Sequence, residues 1–293
     1  MVKLKGCYSA VITPFNKGKI DFSSFRKIIE FQAKSQVSGI VVAGSTGEAA
    51  SLKEEEYLSL IEKAVEYGGD KKEIIAGFGS NCTEKTVSMI KKTERTGIKA
   101  FLVISPYYNK PTQEGLFKHF SQIAANTRLP VIVYNIPGRT GVNISPSTIY
   151  ELRKKHSNIA AVKEASGNLD QVSEIINLCG EDFSVLSGDD SLTLPMMSVG
   201  AKGAISVASN IIPDEISQLC FSFLSADIEK AKQIHHKYFP FIKSLFSETN
   251  PIPIKYVMSM NGFCQNELRL PLTEISKEAS EKVRNAMLKS GII

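Results

Sequence analysis

Eight short apolar runs, each followed by a helical pattern, recur between the N-terminus and Asn210, and this alternation limits the fold more than any other feature. The runs are Tyr8 to Thr13, Gly39 to Ala43, Glu73 to Phe78, Ala100 to Ile104, Pro130 to Tyr134, Asn158 to Lys163, Phe183 to Leu186 and Gly203 to Val207. Short runs rich in small and β-branched residues suit strands buried on both faces of a parallel sheet. Units of roughly 20–35 residues imply crossover helices between parallel strands. An open doubly wound sheet also alternates, but eight unbroken units match a closed (β/α)8 TIM barrel better. No G-x-G-x-x-G follows the first run, which further disfavours a dinucleotide-binding sheet.

After Asn210 the strand signals stop. Helical patterns cover Asp214 to Leu224, Asp227 to Phe246, Ile254 to Met260 and Thr273 to Ser290. The expectation is an α/β protein with a catalytic barrel over residues 1–224 and a helical C-terminal domain over 225–293. No low-complexity linker separates the two, so the extension should dock rigidly.

Several function classes are disfavoured. The hydrophobic fraction of 43% supports a large core, but no apolar run is long enough to cross a bilayer. The opening residues lack the apolar core and cleavage site of a secretory leader. Five dispersed cysteines with no CxxC pair fit free thiols in a reducing cytoplasm. A net charge of +5 without a basic arm or patch argues against nucleic acid. His119 and His156 fall in helical stretches and His235-His236 on a C-terminal helix, so no metal site is expected.

In a barrel the chemistry belongs at the carboxyl ends of the strands. Lys163 closes the sixth run, IAAVK. Apolar walls there disfavour the ammonium form, so the amine can serve as a nucleophile near neutral pH. A snorkelling lysine, or one paired with Glu164, is the plainer alternative. Ser45 and Thr46 follow the second run between Gly44 and Gly47, where backbone can approach a ligand closely. Tyr107 and Tyr108 follow the fourth run, one able to face inward and the other an interface. Tyr134 ends the fifth run, and Arg139 in the next loop could clamp a carboxylate at two points. Gly188 could leave room for a substrate methyl or carboxylate, or open a phosphate site. Ile205 could wall the pocket through its backbone. Asp189-Asp190 reads as a helix cap.

Together GSTGE, YYNKP, YNIPGRTG, VKEASGN, SGDD and the C-terminal NPIPIK segment (Asn250 to Lys255) resemble the pyruvate-dependent Schiff-base aldolases along the whole chain. Arg139 within YNIPGRT points to the dihydrodipicolinate synthase family among them. The resemblance implies that Lys163 forms a Schiff base with pyruvate, with Tyr134, Ser45 and Tyr108 relaying protons. Tyr108 would reach in from a neighbouring subunit. Thr46 and the Ile205 backbone would hold pyruvate, beside Gly188, and Arg139 the carboxylate of aspartate semialdehyde. It also implies a homotetramer built as a dimer of dimers, and no cofactor.

Two positions depart from the pattern. Ser45 stands where most relatives carry threonine, keeping the hydroxyl but losing the methyl that restrains its rotamer; activity should survive. In lysine-sensitive relatives the effector site corresponds to Ala50, Glu54, Asn81, Lys85 and Tyr107, and a carboxylate often occupies the Lys85 position. A cation there should repel an effector ammonium. Two rivals remain: a lyase for a sugar-derived keto acid, such as an N-acetylneuraminate or keto-deoxy-gluconate aldolase, and a barrel retained only as a binding scaffold.

Overall fold

Eight parallel strands close on themselves in the computed structural model, which describes residues 4–293; residues 1–3, where the segment read for a leader begins, lie outside the described residues. In chain order the first elements are β1 (Gly6–Ala10), a hairpin of β2 (Phe15–Asn16) and β3 (Lys19–Ile20), and α1 (Phe22–Lys34). Next come β4 (Gly39–Val42), α2 (Glu54–Gly68), β5 (Glu73–Phe78), α3 (Thr83–Thr93), β6 (Ala100–Ile104), α4 (Gln113–Ala125) and β7 (Val131–Asn135). They are followed by α5 (Pro137–Thr140), α6 (Pro146–Lys155), β8 (Ile159–Glu164), α7 (Leu169–Cys179), β9 (Ser184–Ser187), α8 (Thr193–Ser198), β10 (Gly203–Ser206) and α9 (Pro213–Leu224). The barrel runs β1-β10-β9-β8-β7-β6-β5-β4 and closes through β1 against β4. The fold is a (β/α)8 barrel with C-terminal helices α10 (Ile228–Ser244), α11 (Ile252–Met260) and α12 (Lys277–Ser290).

Strand alternation sorts the apolar side chains into two layers. Tyr8, Ala10, Val41, Ile75, Leu102, Ile132, Tyr134, Ala161, Leu186 and Ile205 fill the barrel interior. Their neighbours in sequence pack outward against the helices in a larger core. Several helix starts are fixed by side-chain caps: Asp21 accepts from the amides of Ser23 and Ser24 ahead of α1, and Asn168 does the same ahead of α7.

The first strand lies two residues upstream of the run that suggested it. Gly6 N bonds Lys202 O, which starts the ladder early. At Ile12 the amide turns to the Asn210 side chain (3.1 Å), and the ladder ends. The β2–β3 hairpin was not expected. Its turn residues Lys17 and Gly18 adopt φ of +52° and +75°, and both amides donate to Glu267 at 2.8 and 2.6 Å. The last helix starts at Lys277, after a Ser276 cap, not near Thr273. Among the described residues no helix is long and apolar enough to cross a membrane.

Candidate active site

Parity decides which way Lys163 points. It is in phase with the interior residue Ala161, so its side chain enters the barrel, while Glu164 faces outward. Glu164 is held there by Asn135 Nδ2 (3.2 and 3.0 Å), Gln171 Nε2 (2.9 Å) and the amide of Ser166 (2.7 Å). A Lys163–Glu164 ion pair is therefore not formed.

On the neighbouring strand Tyr134 is the register partner of Lys163. The lysine is 5% exposed, and its Nζ lies 4.2 Å from the centre of the Tyr134 ring. Burial pulls the ammonium down to about 7; the nearby Arg139 cation acts in the same direction, and the buried Asp190 carboxylate opposes both. The Tyr134 phenol is pushed up to about 12 by burial, against the pull of Arg139 and of a hydrogen bond with Ser45. A substantial share of the amine is thus neutral near pH 7, beside a phenol that stays protonated.

The turn after β4 brings Ser45 to the phenol. Thr46 is buried, and its Oγ1 accepts from Asn250 Nδ2 (3.0 Å), which leaves the hydroxyl proton free to donate to a ligand. Arg139 sits on the short helix α5 at the rim, and its Nη2 donates to Asn250 O (2.7 Å). Ile205 is buried in the barrel interior at the carboxyl end of β10.

Gly188 follows β9 beside the lysine stem. An added Cβ there would lie 2.7 Å from Ala165 Cβ, 3.0 Å from Lys163 Cε and 3.2 Å from Glu164 O. The space it leaves belongs first to the lysine.

Lys163, Tyr134, Ser45, Gly188 and Arg139 thus share one end of the barrel, with Ile205 and Thr46 in its walls. Tyr108 does not join them within this chain: its ring is 87% exposed at φ +73°. Of the residues expected at an effector site, Ala50, Lys85 and Tyr107 are exposed. Glu54 pairs with Lys92, and Asn81 O accepts from Asn109 Nδ2 (2.8 Å).

Four residues near the site were not singled out from the sequence for these roles. Asn250 ties Thr46 and Arg139 together from the C-terminal extension. Glu48 ends the Ser45-Thr46 turn in a buried ion pair with Lys255. Asp190 is not a helix cap, a role that falls to Asp189 alone; its Oδ2 accepts from the amides of Val207 (2.8 Å) and Ala208 (3.0 Å). A lysine amid the apolar residues of IPIKYVM was the available signal for Lys255. Among the described residues no cluster of His, Cys, Asp or Glu could hold a metal ion.

The profile of the dihydrodipicolinate synthetase family matches residues 3–290. The 4-hydroxy-tetrahydrodipicolinate synthase of Methanocaldococcus jannaschii is 47% identical over 289 residues, covering 99% of each chain. That of a Sulfurihydrogenibium species is 49% identical, covering 98% of this chain and 99% of its own. The crystal structure of dihydrodipicolinate synthase from Aquifex aeolicus superimposes with a TM-score of 0.97 at 45% identity, covering 99% of both chains.

Proposed function

The chain belongs to the dihydrodipicolinate synthetase family, and from that premise we infer that it is a 4-hydroxy-tetrahydrodipicolinate synthase, condensing pyruvate with L-aspartate 4-semialdehyde in lysine and diaminopimelate biosynthesis. The observation that carries the chemical reading is the buried amine of Lys163 beside the Tyr134 phenol, with its proton affinity lowered to about 7.

In this reading the enzyme is a class I, Schiff-base lyase. The neutral Lys163 amine adds to the ketone of pyruvate to give a carbinolamine. Tyr134 supplies the proton that lets hydroxide leave as water, and an iminium remains. The iminium draws electrons from the adjacent methyl, which loses a proton to give an enamine. The enamine carbon attacks the aldehyde of the second substrate. That substrate's amine then displaces Lys163, closing the ring and regenerating the free amine.

Ser45 passes protons to and from Tyr134, supported by its hydrogen bond to the phenol. Thr46 and the Ile205 backbone hold the pyruvate carboxylate, Gly188 keeps the lysine stem unobstructed, and Arg139 takes the carboxylate of the second substrate. Tyr108 completes the relay of a neighbouring subunit in a homotetramer. Its exposure and its left-handed backbone, unusual for a non-glycine residue, support that placement. Residues 1–224 form the catalytic barrel, and 225–293 an extension whose Asn250 and Lys255 reach the barrel mouth. Five dispersed, unpaired cysteines support a cytoplasmic setting.

Pyruvate with borohydride tests the chemistry. A permanent mass increase on Lys163, absent in Lys163→Arg, is expected. A coupled assay with aspartate semialdehyde then tests the substrate, and trapping without condensation would exclude the synthase.

A further inference from the structure

Glu48 and Lys255 are 207 positions apart in the chain and form an ion pair with both side chains almost fully buried (1% and 0% exposed). The second carboxylate oxygen of Glu48 accepts the amide of Arg269 at 3.1 Å. Below the pair lies the fully buried ring of Phe15, its centre 4.4 Å from Lys255 Nζ and 4.3 Å from the Arg269 guanidinium carbon. The Arg269 guanidinium runs on to Glu56 at 2.6 and 2.7 Å. Glu48 therefore joins the turn after β4 to the C-terminal extension, and Lys255 and Arg269 carry the cluster on to Phe15 of the N-terminal hairpin.

Glu48 is also where the Ser45-Thr46 turn leaves the barrel mouth. Its φ is +53°, a left-handed conformation that a residue with a Cβ adopts at some strain. The turn has local bonds of its own, Gly47 N to Gly44 O (3.0 Å) and Glu48 N to Ser45 O (3.2 Å). Thr13 Oγ1 donates to Gly47 O (2.7 Å) from the barrel side. The tie to α11 comes from the Glu48 carboxylate. A buried ion pair adds little net stability compared with apolar residues of the same volume, so stability alone is a poor account of it. What it does impose is position, because a buried carboxylate has to stay where its counter-charge is.

We propose that Glu48 and Lys255 are positioning residues for the reaction. The pair anchors the Ser45-Thr46 turn to the C-terminal helix α11, keeping Ser45 within hydrogen-bonding reach of Tyr134 and Thr46 joined to Asn250. The proposal rests on the synthase reading above, since it assigns work to those two hydroxyls. It makes the extension part of the catalytic unit: the barrel holds the nucleophile, and the extension holds the turn that serves it.

Glu48→Gln and Lys255→Met each leave a buried charge unpaired and can fail to fold. The double variant Glu48→Gln/Lys255→Met leaves none and keeps an acceptor for the Arg269 amide. Full-length wild type, both single variants and the double variant are compared by thermal melting, borohydride trapping of pyruvate, and steady-state kinetics per trapped site. The double variant should melt near the wild-type temperature, yet show kcat lower by about ten-fold and a raised pyruvate KM, with aldehyde KM within about two-fold of wild type. A purely structural pair gives the same melting pattern, lost in the single variants and restored in the double, but leaves kcat and pyruvate KM of the double variant at the wild-type values. Wild-type kcat and pyruvate KM in the folded double variant overturn the proposal. Wild-type protein that traps pyruvate but condenses no aldehyde overturns the synthase reading alone. The trapping rate of the double variant then decides, with a slowing of about ten-fold upholding the positioning role and an unchanged rate overturning it.

Discussion

Lys163 and Tyr134 are register partners on adjacent parallel strands, and the lysine nitrogen lies 4.2 Å from the centre of the phenol ring. The aromatic face and the apolar interior strip water from the amine, while Asp190 offsets only part of the loss. Half of the amines should therefore be neutral near pH 7. The rate at which borohydride traps pyruvate should rise with pH and reach half its limit close to that value. A midpoint above pH 9 would mean that the side chain remains an ordinary lysine.

The same burial predicts a stability effect. The folded protein releases the Lys163 proton at about 7, against 10.5 for an ordinary lysine. Between those values the unfolded chain binds more protons, so stability rises with pH across the window and the penalty is greatest below it. Lys163→Met, which removes the charge at similar volume, should stabilise the protein by ~5 kcal/mol at pH 6 as an upper bound and by only ~2 kcal/mol at pH 9. Urea unfolding at the two pH values measures the difference, and an equal gain at both would contradict it.

Gly188 controls the lysine by vacancy. A methyl group there would sit 3.0 Å from Lys163 Cε and 2.7 Å from Ala165 Cβ, with strand backbone behind it at 3.2 Å. The lysine stem is the part most able to yield. Gly188→Ala should slow pyruvate trapping by about ten-fold and destabilise by about 1–3 kcal/mol, as overpacking does. Trapping at the wild-type rate would show that the stem has another way round.

These residues differ in how legible they are along the chain. Lys163 and Tyr134 close the continuous apolar runs IAAVK and VIVY, which places them at strand ends, and the order of strands makes them neighbours; which face each takes emerges only in the barrel, where they are in phase with Ala161 and Ile132. Local pattern therefore carries the barrel and the place of Lys163 at the end of its strand. It does not carry Asn250, whose contacts with Thr46 and Arg139 span 204 and 111 positions, because a single polar contact over that separation leaves no periodic trace. Glu48 reads as an acidic residue near a helix start, and only the closed fold shows it buried against Lys255. Asp189 and Asp190 look alike in sequence. The turn points one at its own helix and the other at the amides after β10.

At the rim, Lys85 is exposed on the first turn of α3, and Glu54 is already paired with Lys92. In the effector site that the resemblance implies, an amino acid's ammonium would meet the Lys85 cation, and Glu54 is already engaged. L-lysine at millimolar concentration should leave the rate unchanged, and Lys85→Glu should introduce inhibition. Half-inhibition of the wild type at sub-millimolar lysine would rule this out.

Arg139 offers a test of the synthase reading against a sugar-acid lyase. Its guanidinium is anchored by one donor to Asn250 O, which leaves other donors for a carboxylate arriving at the rim. Charge-assisted hydrogen bonds of this kind contribute about 1.5–3 kcal/mol, or roughly ten- to hundred-fold in rate. Arg139→Ala should lower kcat/KM for the aldehyde substrate by that factor, while pyruvate trapping continues. Loss of the cation should also raise the trapping midpoint, because Arg139 is one of the two influences that lower the Lys163 ammonium. A lyase acting on a keto acid without the second carboxylate would show the shifted midpoint but little change in turnover. A variant that condenses aspartate semialdehyde at the wild-type rate, with its midpoint shifted, would assign Arg139 to the electrostatics of the amine and leave the carboxylate to some other group.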